Sequence, residues 1–168
     1  MKNYFRFTLL VLVVFFSFLS CEGLTIATVD FDYNKFKIER SAWENSSPLN
    51  YQYKLSNSGG GEYVPINTLI IVENGQFKEQ TPLSEYGEAG ENYQTIHKVY
   101  ETIEDIYQRY NNTQQSKKDF YLTKIKIEYD SNHVPLKTEY YYYIPPYLMD
   151  MSTYWRYEIE NYKTNSNE

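Results

Sequence analysis

The chain has two histidines, His97 and His133, and one cysteine, Cys21. A protein metal centre takes three or four ligands at defined spacing. There is no H-x-x-x-H pair and no cysteine cluster, so no metal and no other cofactor is expected. Nucleophilic catalysis needs an activated Ser, Thr or Cys beside a base, and no G-x-S-x-G sequence is present. Glu101, Glu104 and Asp105 are carboxylates of the kind that serve as paired acid and base in glycoside hydrolysis, but their spacing puts them on the polar face of a helix, where solvation accounts for them. Gly59-Gly60-Gly61 lacks the Lys-Ser/Thr of a phosphate loop and reads as a flexible connection. No catalytic residue is assigned, and an enzyme is not expected.

Aromatic residues carry the remaining signal. The chain holds 20 tyrosines, and part of that excess follows AT-rich codon usage, as do the frequent Asn, Lys and Ile. Tyr140 to Tyr143, Tyr147, Tyr154 and Trp155 form the densest group. Tyr and Trp dominate protein-binding hot spots and sugar-stacking platforms, although β propensity alone also favours them in strands. Period-2 alternation sends Tyr140 and Tyr142 to the core and Tyr141 and Tyr143 to the opposite face. Tyr141, Tyr143 and Tyr147 are therefore the candidate binding residues. Asp130 closes a strand and is expected to bond the backbone ahead of it in a turn. His97 and His133 are expected to be solvated or capping.

These residues must be positioned by the elements around them. Asp30 to Asn45 reads as a helix with Tyr33, Phe36, Arg40 and Trp43 on one face, capped by Asp30 or Asp32 and ended by Ser46-Ser47-Pro48. Tyr51 to Leu55 alternates as a strand, and Ser56 to Gly61 reads as a loop. Pro65 to Val72 is a second strand, turning at Asn74-Gly75 into a returning strand over Phe77 to Gln80. Asn92 to Asn111 is the best helix, with Ile96, Val99, Tyr100, Ile103, Ile106, Tyr107 and Tyr110 on one stripe. After a loop from Asn112 to Lys118, a three-strand meander follows. In its first strand Tyr121, Thr123, Ile125, Ile127 and Tyr129 point one way and Leu122, Lys124, Lys126 and Glu128 the other. In its second, Leu136, Thr138 and Ile144 share the core face, with Lys137 and Glu139 opposite. In its third, Trp155, Tyr157 and Ile159 oppose Arg156, Glu158 and Glu160. The expected fold class is α+β in two layers: an antiparallel sheet of about five or six strands, with one long amphipathic helix and a shorter N-terminal helix packed on one face.

The N-terminus has an address of its own. Lys2 and Arg6 precede an uncharged run from Phe7 to Leu19. That run is shorter than the ~20 residues of a membrane-spanning helix and suits the apolar region of a signal peptide. Phe18-Leu19-Ser20-Cys21 follows, which resembles the cleavage box of bacterial lipoproteins: the small residue and the cysteine match, while Phe18 stands where Leu is usual. The resemblance implies removal of residues 1–20 and lipid attachment at Cys21, a membrane anchor. As the sole cysteine, Cys21 has no partner for a disulfide within the chain. The expected organisation is signal peptide 1–20, tether 21–29, a single domain 30–162 and a flexible tail 163–168. The whole chain carries a formal charge of −6, and loss of Lys2 and Arg6 takes it to −8. That balance argues against nucleic acid and against electrostatic binding to anionic lipid.

The order of features also resembles an uncharacterised family of small secreted and lipoprotein domains of bacteria. The matching residues are Trp43, Tyr51-Gln52-Tyr53, Val72-Glu73-Asn74-Gly75-Gln76, Thr102-Ile103-Glu104-Asp105-Ile106-Tyr107, Tyr129-Asp130 with Pro135, and Tyr157-Glu158-Ile159. Many members carry a cysteine pair after the first strand, where this chain has Ser56-Asn57-Ser58-Gly59, and a Gly where it has Val134. The resemblance implies the fold order and an envelope address, on the periplasmic or the surface side, and no activity. The expected function is that of a non-catalytic, membrane-anchored envelope lipoprotein that binds or scaffolds another macromolecule, with an envelope protein as the expected partner, through the outer sheet face or an edge strand. An inhibitor-like or peptide-, sugar- or small-ligand-binding module is the alternative, and a hydrolase with an unrecognised site the third.

Overall fold

The computed structural model describes residues 25–59, 66–85, 88–115, 120–148 and 154–164. Its strands are β1 (Thr25–Ala27), β2 (Tyr51–Gly59), β3 (Asn67–Glu73), β4 (Gln76–Pro82), β5 (Thr113–Gln115), β6 (Tyr121–Tyr129), β7 (Pro135–Tyr143) and β8 (Tyr154–Thr164); its helices are α1 (Tyr33–Ser46) and α2 (Ile96–Tyr110). Six strands form one antiparallel sheet in the order β4-β3-β2-β8-β7-β6. This sheet dominates an α+β fold. β1 and β5 pair separately.

Local chemistry explains the boundaries. Asp32 caps α1, its carboxylate accepting from the Lys35 N–H at 2.9 Å. Asp30 belongs instead to a bridge with β6, so the helix begins later than Asp30. Thr95 caps α2 through the Lys98 N–H at 3.1 Å. The periodic stripe of α2 is its packing face: Ile96, Val99, Tyr100 and Ile103 are buried, and Ile106, Tyr107 and Tyr110 are half-buried against the core. Full burial of an Ile contributes about 1.5–3 kcal/mol. Asn74 and Gly75 both take positive φ, 53° and 74°, the conformation of a two-residue hairpin turn.

One core joins sheet and helices. Tyr53, Leu55, Ile70, Val72, Leu122, Tyr140 and Ile159 lie buried together with Phe36 and Trp43 of α1 and the α2 stripe. Trp43 packs edge-on against Tyr51, ring centroids 5.7 Å apart, and Phe36 lies 5.6 Å from Tyr100. The Tyr51 hydroxyl accepts from the Ile96 N–H at 3.1 Å and so bonds the first turn of α2.

Several expectations are corrected. Ser56 to Gly59 is not loop but the second half of β2, paired with Glu158 to Trp155; the backbone bonds to β8 hold this stretch without apolar side chains. Thr25–Ala27 and Thr113–Gln115, read as tether and loop, pair with each other, and Val29 is buried. Lys163 and Thr164 continue β8 opposite Gln52 and Tyr51. A bulge at Thr123 shifts the phase of β6. Leu122 therefore joins Ile125 in the core, and Tyr121 goes to the other face with Tyr143, because one extra residue exchanges the two faces of a strand.

Candidate functional site

The face of the sheet opposite the core is built by register. Across β6, β7 and β8, the rows are Glu128–Lys137–Glu158, Lys126–Glu139–Arg156 and Lys124–Tyr141–Tyr154. The first two rows alternate in sign in both directions, the arrangement that cross-strand pairing favours. Glu139 sits at the centre and is 5% exposed, although it lies on the face away from the core.

Its carboxylate accepts three hydrogen bonds and faces a further lysine. Oε1 accepts from Lys137 Nζ at 2.8 Å and from the Tyr154 hydroxyl at 2.7 Å. Oε2 accepts from the Tyr141 hydroxyl at 3.2 Å and lies 3.6 Å from Lys126 Nζ. The Lys137 hydrogen bond, reinforced by Tyr154 and by the nearby lysine charges, outweighs desolvation and pulls the carboxyl down to about 2. Burial, together with the hydrogen bond to Glu139, raises the Tyr154 hydroxyl. Glu139 is thus held ionised at neutral pH, and it holds two tyrosine rings by their hydroxyls.

Those rings begin the aromatic end of the face. Tyr141 and Tyr154 have centroids 5.2 Å apart, and Tyr121 stacks on Tyr143 at 5.0 Å with 27° between planes. Tyr141, Tyr143, Tyr121 and Tyr154 are each half-buried. Tyr147 stands past the end of β7 in the turn Pro146–Leu148 and is 67% exposed. Tyr141 and Tyr143 thus lie on the face that alternation assigns them, while Tyr121 enters only through the bulge. The clamp at Glu139 is not visible in β7 alone, because its partners come from three strands. Cys21 lies outside the described residues.

The other candidates have structural partners. Asp130 Oδ1 accepts from the Asn132 N–H at 2.9 Å and the Val134 N–H at 2.8 Å, closing the β6–β7 turn. His133, at φ 65°, places Nδ1 2.7 Å from Glu39 Oε2. His97 is half exposed, with Nε2 3.2 Å from Glu101 Oε1. Glu104 is not simply solvated: it accepts from the Tyr33 hydroxyl and pairs with Arg40, tying α2 to α1. Among the described residues, no group of three or more His, Cys, Asp or Glu side chains could hold a metal ion. No helix among them is long and apolar enough to cross a membrane.

Comparison with family models, with curated proteins and with solved structures finds no match. The charges of this face pair across strands, and paired tyrosine rings border them with exposed ring area. Separately, a cavity of about 300 Å³ opens between the start of α1 and the edge of β6, with Phe31, Phe36, Ile125, Ile127 and Tyr129 among its walls.

Proposed function

We propose that this chain is a non-catalytic envelope lipoprotein, anchored to a bacterial membrane through Cys21, that binds or scaffolds another macromolecule through the aromatic end of its outer sheet face. The single observation that carries the binding reading is the arrangement of Tyr141 and Tyr154 on Glu139 beside the stacked pair Tyr121 and Tyr143. Fixed aromatic rings lose little conformational entropy when a partner covers them, which is what makes tyrosine effective in hot spots. On this reading α1 and α2 form one layer over the opposite face, leaving the outer face to the partner. The address rests on the charged start, the apolar run and Phe18-Leu19-Ser20-Cys21.

The deciding experiment crosslinks the full-length protein in intact cells and identifies bound proteins by mass spectrometry. One dominant partner, lost in the Tyr141→Ser, Tyr143→Ser double variant while the fold persists, supports the reading. An unchanged set of partners in that variant overturns it. A second reading, a module that captures a peptide, sugar or small ligand, draws on the cavity beside β6, whose volume reaches the lower end of the ligand-pocket range of roughly 300–1,000 Å³.

A further inference from the structure

β6 is a terminal strand of the sheet, and its outer edge is only partly used. The chain running into α1 touches that edge at one residue. The Asp30 N–H donates to the Thr123 carbonyl at 2.8 Å, and the Ile125 N–H donates to the Asp30 carbonyl at 3.1 Å, a parallel bridge. Backbone groups of a strand alternate sides, so the Ile125 carbonyl and the Ile127 N–H point to the same edge. In a continued parallel pairing Asp32 would take both. Its carbonyl instead accepts from the Phe36 N–H at 3.0 Å, because α1 has begun. The pairing that Asp30 starts is broken off by the helix, and the cavity of about 300 Å³ opens at that point. Among the described residues, no strand pairs with this edge beyond Ile125.

The surrounding side chains define what fits. Phe31, Phe36 and Ile127 give an apolar wall. The carboxylates at the mouth are engaged: Asp30 by Lys124 at 2.8 Å and Asp32 by its capping bond. Lys35 holds its amine 5.7 Å from the Tyr129 ring centroid, and no carboxylate among the described residues pairs with it.

We infer that this edge takes an extended peptide as an added strand. The peptide bonds the Ile125 carbonyl and the Ile127 N–H, seats one large apolar side chain against Phe31 and Ile127, and sets a carboxylate on Lys35. Backbone bonds supply affinity and the cavity supplies selectivity, as in other strand additions. This site is separate from the outer-face tyrosines and stands or falls independently of them.

The test titrates ¹⁵N-labelled full-length protein with an acetylated, amidated heptapeptide of alternating threonine and valine that carries one phenylalanine and one glutamate at its centre. Two controls are the same peptide N-methylated on alternate amides, in either phase. The expected result is a shift of the Ile125, Ile127 and Tyr129 amides and slowed hydrogen exchange at Ile127. One N-methyl phase should weaken binding about tenfold or more, since it removes hydrogen bonds of the added strand. Lys35→Ala should weaken it about two- to fivefold, while Tyr141→Ser should leave it unchanged. An Ile127 amide already as protected as that of Ile125 in the free protein would overturn the inference. So would a peptide that shifts only outer-face residues, or none, or one that binds equally well in both N-methyl phases.

Discussion

Tyr100, in the middle of α2, donates its hydroxyl hydrogen to the backbone carbonyl of His133 in the turn between β6 and β7. The bond joins helix and sheet at a residue held at φ 65°. The ring is buried, and that burial pushes the hydroxyl above its ordinary pKa, keeping it a neutral donor. Tyr100→Phe keeps the packing and leaves the carbonyl without this donor. Loss of about 1–2 kcal/mol is expected from urea denaturation, with an unchanged far-UV spectrum.

Acid should unfasten the outer face. Glu139 titrates at about 2 in the folded protein, below its ordinary value, so its contribution is full above the unfolded carboxylate range and fades as pH falls from about 4.5 towards 2. Stability measured by denaturation from pH 6 to pH 2 should drop along that limb. Glu139→Gln should flatten the limb and cost about 1–2 kcal/mol at neutral pH. This is less than for a fully enclosed ion pair, because Lys126 remains about half exposed.

The hairpin turn gives a purely backbone test. At Gly75, with φ 74°, an added Cβ would meet Leu49 Cδ2 at 3.8 Å, an ordinary contact. The penalty of Gly75→Ala is therefore conformational, about 1–2 kcal/mol in the denaturation midpoint. Gly75→Asn should lose less, since asparagine tolerates the left-handed region.

Membrane attachment is tested at one atom. Cys21→Ser removes the sulfur that lipidation requires. Fractionation of cells producing this variant should move the protein out of the lipid-modified membrane fraction, and metabolic labelling with a fatty-acid analogue should fall to background. Retained labelling would refute the lipoprotein address.

The local signals in the sequence survive well. The stripe from Ile96 to Tyr110 marks α2, Asn74-Gly75 marks its hairpin, and alternation puts Tyr140 and Tyr142 inside and Tyr141 and Tyr143 outside. Features that depend on distant pairing do not show. β1 finds β5 across most of a hundred residues, and neither has an apolar pattern to announce it. The bulge at Thr123 adds one residue to β6, which a period-2 reading carries forward as an error from Tyr121 and Leu122. A second irregularity, where β8 passes Asn161 at φ 53°, turns Tyr162 towards Trp43 and Tyr51. Glu139 reads as an ordinary outward acid, because the lysines and tyrosines that enclose it belong to three strands.

The place of β8 has a consequence for the order of assembly. It lies between β2 and β7, so among the described residues it is the strand that hydrogen-bonds a sheet half made early in the chain to one made late. During synthesis, β2-β3-β4 and β6-β7 can each form as a hairpin unit, but both keep an open inner edge until Tyr154 to Thr164 arrives. β8, made after both halves, is therefore the keystone. A chain stopped before Tyr154 would present two bare edges at once, the state most prone to pairing with its neighbours, whereas the finished chain seals both in a single step.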